Sequence, residues 1–282
     1  MSVTWNGAAP ERVRAPCVTE RLRMVLRALA LVLVTYLGIP FVVLFNLVER
    51  AAPLGVAHRI ACLWGRICLW LCGVRVLARG TPMRGGGAVV ANHAGWIDIF
   101  TLLTADRVYF VSKAEVAGWP LVGWLSRQIG TVYIDRRRTS SKAQAAMLHD
   151  RLARGDRLCF FPEGTSTDGR RVLPFKSTLF APFTAEGLRD ELWVQPVSIV
   201  YHPAPDLPRS FYGWWGEMPL GPHLKAVFAL SRGGVAEVIH HPPLRAADFA
   251  DRKALAAACE EAVRAGVTAA LEAALETGRD PA

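Results

Sequence analysis

Hydrophobic and polar positions divide the chain into three regimes. Residues 1–27 are polar and carry Arg12, Arg14, Arg21, Arg23 and Arg27. Ala28–Val48 then runs without a charged residue. A bilayer core about 30 Å thick is crossed by roughly 20 helical residues, so this stretch is long enough to span. It does not read as a secretory leader, because its apolar part is too long and no small-residue cleavage site follows. Pro40 predicts a kink of the kind membrane helices tolerate. A second apolar stretch, Leu54–Leu77, is interrupted by His58, Arg59, Arg66 and Arg75. Arg59 and Arg66 are two helical turns apart and share a face, which predicts a helix lying in the membrane interface.

From Gly80 the pattern switches to short β-like runs alternating with helical ones. Ala88–Ala91, Val108–Val111, Thr131–Ile134, Leu158–Phe161, Val194–Val200 and Ala236–Ile239 read as strands. Ile97–Leu103, Ser140–Arg154, Pro222–Leu230 and Asp248–Leu275 read as helices. Alternation of this kind predicts an α/β fold, a mixed and largely parallel sheet flanked by helices, preceded by an apolar two-helix membrane motif. The division expected is 1–79 for the basic flank and membrane hairpin and 80–282 for the α/β domain. The glycines of Arg84–Ala88 mark a turn into the first strand of that domain.

Composition sharpens the membrane reading. Apolar residues make up 52% of 282 and the mean hydropathy is +0.23, both high for a freely soluble domain. The net charge of +9 suits anionic lipid, an acidic protein or nucleic acid. The basic residues are spread out and accompany apolar helices, so nucleic acid is not expected as a partner. Six cysteines form no Cys-x-x-Cys pair, which points to reduced structural thiols. No metal is expected, since His240 and His241 are adjacent on a strand and point to opposite faces.

Two constellations carry candidate chemistry. In "VVANHAGWIDIF" an apolar strand ends at Asn92-His93, and Asp98 falls in the first turn of the helix that follows. That spacing lets Asp98 accept a hydrogen bond from one imidazole nitrogen and leaves the other to take a proton. A nucleophile is missing, as it would be if the substrate's own hydroxyl attacked. In "FFPEGTSTDGRRVLPFKS" a buried strand stops at Pro162, and Glu163-Gly164-Thr165 make a tight turn. Small donors there, with Arg170, Arg171 and Lys176 nearby, make a plausible anion site.

Together, Asn-His-x4-Asp at 92–98 and Phe-Pro-Glu-Gly-Thr at 161–165 resemble the glycerolipid acyltransferase family, whose type member is 1-acyl-glycerol-3-phosphate acyltransferase. Lys113, Glu115, Pro120, Gly123, Gly130 and Arg136 resemble the family's second block, and "VQPVSI" around Pro196 its fourth. The resemblance implies that residues 80–282 form an acyltransferase domain. It implies that His93 deprotonates an acceptor hydroxyl and that Asp98 orients it. Arg136, Glu163, Gly164, Thr165, Lys113 and Arg170 would surround the acceptor headgroup. No cofactor is implied. The donor would be acyl carrier protein or acyl-CoA, the acceptor a lysolipid, and the site the cytoplasmic face of the inner membrane.

One departure matters for the acceptor. Phosphate-acceptor members usually carry an arginine after Phe-Pro-Glu-Gly-Thr, and here the residue is Ser166. The segment "FYGWWGEMPLGPHLKAVF" resembles the branch that acylates lyso-ornithine lipid, so 1-acyl-glycerol-3-phosphate and lyso-ornithine lipid both stand as acceptors. By residue type alone, its Phe211, Tyr212, Trp214 and Trp215 are expected as an interfacial aromatic belt. The His–Asp pair could equally activate water, which leaves a thioesterase or lipid hydrolase open. An inactive lipid-binding relative is the third alternative.

Overall fold

The computed structural model describes residues 5–8, 14–49, 55–119, 122–134, 141–184 and 188–276. Arg136 and Pro120 lie outside the described residues.

An eight-stranded sheet forms the centre, in the order β1-β7-β6-β2-β5-β3-β4, with β8 pairing on β6. The strands are β1 Arg75–Arg79, β2 Gly87–Ala91, β3 Tyr109–Lys113, β4 Val132–Ile134, β5 Arg157–Phe160, β6 Trp193–His202, β7 Val235–His240 and β8 Leu244–Arg245. β2 pairs parallel with both β5 and β6, and β3 parallel with β5 and β4. β6 meets β7 and β8 antiparallel. The fold is therefore α/β with a mixed, largely parallel sheet, as the alternation predicts.

Helices cover both faces. β2 is buried over its whole length, because neighbours flank it and helices pack above and below. Its period-2 alternation divides the core. Val89 and Ala91 join Leu102, Val197, Ile199 and Val227 on one face. Ala88 and Val90 join Leu158, Val200, Leu255 and Val263 on the other. The first face is covered by α1 Val18–Val48, α2 Val56–Leu71, α3 Ile97–Ala105 and α6 Leu220–Ala229, the second by α5 Ser141–Ala153 and α7 Arg252–Glu276.

α1 begins ten residues before the charge-free run, because Glu20 reaches back to the Cys17 backbone N–H at 2.8 Å and caps it. The helix passes through Pro40 without ending. One side carries exposed Leu22, Leu26, Leu29, Leu33, Leu37 and Leu44. The other side is bolted to the domain. Arg23 donates to Ala229 O at 3.0 Å, and Arg27 to Phe228 O at 3.2 Å and Leu230 O at 2.8 Å, satisfying carbonyls at the end of α6. Farther along, Asn46 donates to Gln128 O at 2.9 Å.

The second apolar stretch is shorter as a helix than its composition predicts. α2 stops at Leu71, Gly73 turns with φ 73°, and Arg75–Leu77 enter β1. β1 is an edge strand with little buried alternation, so its pattern does not separate from the helix before it. On α2, Arg59, Leu63, Arg66 and Trp70 are exposed, while Ala61, Gly65 and Leu69 pack inward. A Cβ on Gly65 would stand 2.9 Å from Leu103 Cβ, so α2 and α3 approach at contact distance there. α4 Val122–Gln128 is an element the sequence pattern does not announce.

Candidate active site

Parallel strands aim their carboxyl ends at one region, where open α/β sheets place their ligands. β2 delivers His93, β5 delivers Phe161–Thr165 and β3 ends on Lys113. Asn92 joins β2 to β6 beyond their ladder, its amide accepting from Ile199 N–H at 2.8 Å and donating to Ile199 O at 2.9 Å. An asparagine side chain here imitates a backbone amide and fixes where the strand releases His93.

His93 Nδ1 lies 2.7 Å from Asp98 Oδ2. The same oxygen accepts from Ala94 N–H at 2.7 Å and Gly95 N–H at 3.0 Å, and Oδ1 accepts from Tyr201 Oη at 2.6 Å. Four donors thus converge on a carboxyl group of zero solvent exposure. Tyr201 Oη also meets Thr101 Oγ1 at 3.0 Å. Asp98 and Thr101 are three apart on α3 and face one strand residue. Because Nδ1 is engaged, Nε2 is the nitrogen left to take a proton, and it has no hydrogen-bond partner among the described residues; the side chain is 24% exposed. The imidazole stacks on Phe161 at 4.2 Å, which holds the ring plane.

Glu163 supports the same turn from below. Its Oε1 accepts from His93 N–H at 2.9 Å and its Oε2 from Leu173 N–H at 3.2 Å. Burial pushes its carboxyl up to about 8, against the pull of those two donors. Glu163 therefore ties loops together beneath the site. Gly164 has φ 69°, and a Cβ there would stand 2.5 Å from Lys176 Nζ, so glycine admits the ammonium against the turn. Thr165 Oγ1 accepts from Trp5 N–H at 3.3 Å. Arg170 N–H donates to Asp168 Oδ1 at 3.0 Å, and the Arg171 guanidinium pairs with Asp168 at 2.9 Å. The structure brings His93, Asp98, Glu163, Gly164 and Thr165 together and puts Lys113 at the same end of the sheet.

The aromatic segment corrects the sequence expectation. Phe211, Tyr212 and Trp215 are buried, so they do not form an interfacial belt. Trp214 N–H donates to Ala94 O at 2.8 Å, and Ser166 Oγ donates to Trp214 O. The loop therefore packs on the turn that follows His93. Tyr201 is a neighbour of the His–Asp pair that motif reading missed, and the loop's packing on the His93 turn is a contact that its residue types do not give. The available signal for Tyr201 was its phase: it continues the inward set Val197, Ile199 of β6.

Beside the turn lies an apolar cavity of about 290 Å³. Trp96 lines it from the His–Asp turn, with Gly38 and Ile39 of α1, Trp64 of α2, Phe110 of β3 and Leu224 of α6. Trp96 Nε1 donates to His223 Nδ1 at 2.9 Å, and His223 Nε2 donates to Phe211 O at 3.0 Å, so that imidazole is neutral and fixed in one tautomer. Elsewhere Ser198 Oγ meets His241 Nε2 at 2.8 Å, but the serine proton goes to Val263 O at 2.9 Å. That hydroxyl is a structural link without a free proton for a base to take.

A family model described as Acyltransferase matches residues 75–200. The lyso-ornithine lipid O-acyltransferase of Rhodobacter capsulatus is 50% identical over 269 residues, 93% of this chain and 96% of that protein. The chain belongs to the acyltransferase family. The Brucella abortus lyso-ornithine lipid O-acyltransferase is 35% identical over 89% of this chain and 96% of its own length. The 1-acyl-sn-glycerol-3-phosphate acyltransferase of Neisseria gonorrhoeae is 36% identical over 37% of this chain and 42% of its own length. The 1-acyl-sn-glycerophosphate acyltransferase PlsC of Thermotoga maritima shares the fold at a TM-score of 0.63 and 22% identity, covering 88% of this chain and 96% of that one. This acyltransferase is thus an enzyme of lipid metabolism, with membrane association suggested by α1, which is long and apolar enough to cross a bilayer.

Proposed function

We propose that this acyltransferase moves a fatty acyl chain from a thioester to the free hydroxyl of lyso-ornithine lipid. The observation that carries this reading is the His93–Asp98 pair at the strand ends, beside an apolar cavity. His93 Nε2 takes the proton of the acceptor hydroxyl as its oxygen attacks the thioester carbonyl. The tetrahedral oxyanion collapses, the C–S bond breaks, and the departing thiolate takes the proton from His93. Asp98 holds the Nδ1–H tautomer and offsets the imidazolium charge. The 290 Å³ cavity suits an alkyl chain.

Glu163, Gly164, Thr165, Lys113, Arg170 and Arg136 are the acceptor-side set. A phosphate is best held by a bidentate arginine, and Ser166 stands where phosphate-acceptor relatives carry one. An ornithine headgroup bears a carboxylate and an ammonium, so it asks for less cationic charge. Acyl carrier protein or acyl-CoA serves as donor from the cytoplasm, which puts the domain on the cytoplasmic face of the inner membrane.

The two-sided character of α1 supports attachment to one leaflet. A spanning helix would expose every side to lipid, whereas α1 has one face docked through Arg23, Arg27 and Asn46. Arg59 and Arg66 on the exposed side of α2 suit headgroups and would cost roughly 2.5–3.5 kcal/mol each at the bilayer centre. The test crosses purified protein with each lysolipid and each thioester donor and identifies products by mass. Acylated ornithine lipid is expected, with transfer lost in His93→Ala. Acyl release without lysolipid, or full transfer by His93→Ala, would overturn the reading.

A further inference from the structure

Trp5–Ala8, ahead of α1 in the chain, reach the acceptor side of the site. The Trp5 backbone donates to Thr165 Oγ1 at 3.3 Å. The Trp5 ring packs on Trp215 with centroids 5.9 Å apart, and the Arg171 guanidinium lies over the Trp5 ring at 5.1 Å from its centroid. Trp215 Nε1 answers by donating to Ala8 O at 3.3 Å. The ring folds back over Gly7, where any Cβ would overlap it. Gly216, at φ 60°, leaves room for the strap, since a Cβ there would stand 3.3 Å from Asn6 Oδ1.

What the strap touches is already tied to His93. Thr167 N–H donates to His93 O at 2.9 Å, and Trp214 N–H to Ala94 O at 2.8 Å. Ser166 then closes the circuit to Trp214 O. One clasp therefore spans the Thr165–Ser166 turn, the Trp214–Trp215 loop and the backbone that carries the base. A cation above an indole face and an indole against an indole are the contacts that hold it.

We infer that Trp5 is a positioning residue for the acceptor: it holds the Thr165–Ser166 turn and the Trp214–Trp215 loop in register around the acceptor headgroup. This rests on the reading of that turn as the acceptor side. It makes acceptor affinity depend on a segment more than 150 residues distant in sequence. The donor's acyl chain lies elsewhere, in the cavity lined by α1, α2 and α3.

The experiment measures KM for lyso-ornithine lipid and for the thioester donor separately, with full-length protein in mixed micelles. Trp5→Ala is expected to raise acceptor KM about ten-fold, equivalent to about 1.4 kcal/mol, with donor KM and kcat near wild type. Trp5→Phe should restore most of the affinity, since a ring remains between Trp215 and Arg171. Gly7→Ala should reproduce Trp5→Ala by displacing the ring without altering it, and carries the comparison if Trp5→Ala does not accumulate folded. Unchanged acceptor KM, or an equal rise in both KM values, overturns the inference. Wild-type protein that acylates no lysolipid would instead fail the transfer reading and leave the clasp a structural one.

Discussion

Asp98→Asn isolates the charge of the carboxylate proposed to orient His93, because the surroundings dictate how the amide must sit. Three N–H groups point at Oδ2: His93 Nδ1–H, Ala94 N–H and Gly95 N–H. The asparagine oxygen must take that position, since an NH₂ group there would face three donors in a fully buried site. The NH₂ then faces Tyr201 Oη, which can accept it and turn its own proton to Thr101 Oγ1. Geometry and tautomer survive, and only the negative charge is lost. For unit charges centred about 4 Å apart at an effective dielectric of about 20, the attraction between imidazolium and carboxylate is about 4 kcal/mol. That attraction exists only once His93 has taken the proton, so it acts in the transition state, and its loss lowers kcat by roughly 10³-fold with little change in KM. Single-turnover transfer to lyso-ornithine lipid with pre-bound thioester measures it directly. A rate within ten-fold of wild type, or a defect confined to KM, would refute the assignment of charge stabilisation to Asp98.

Three further outcomes test the surroundings. Tyr201→Phe removes the donor to Asp98 Oδ1 in a buried site and should cost about 1.5–3 kcal/mol in urea unfolding, while kcat per folded molecule changes by less than about ten-fold because Oδ2 keeps its donors; a large kcat loss without destabilisation contradicts this. Glu163 holds its proton up to about 8 in the fold, because burial penalises the carboxylate, but ionises around 4.5 when unfolded. Its contribution is complete below 4.5 and is lost as pH rises toward 8, at no more than about 1.4 kcal/mol per pH unit. Glu163→Gln should flatten the decline of the urea midpoint between pH 5 and 8, and parallel slopes in the two proteins would remove the argument. For topology, Cys17 is exposed while Cys259 is buried, so an impermeant thiol reagent should reach Cys17 only after the cells are opened; labelling of intact cells would put the site on the wrong side of the membrane for a cytoplasmic donor.

What this sequence determined by itself was whatever neighbouring residues encode together. The charge-free run Ala28–Val48, the alternating strands of the sheet and the helical runs follow from local periodicity, which a chain carries regardless of its partners. The His93–Asp98 pair and the Phe161–Thr165 turn were legible for the same reason, since each motif is complete within a few residues and both sit where a strand gives way to a turn. β1 escaped because an edge strand exposes both faces and so shows no buried alternation to read. Tertiary structure alone decided the rest. That Tyr201 completes the carboxylate's shell, 103 residues from Asp98 in sequence, depends on β6 lying beside β2. That Arg23 and Arg27 cap α6, and so make α1 two-sided, depends on contacts more than 200 residues apart. The aromatic segment shows the physical reason most plainly. Indole and phenyl groups favour both a membrane interface and a protein interior, so residue type leaves their place undecided, and only the packing of Trp214 and Trp215 against Ala94, Ser166 and Trp5 settles it.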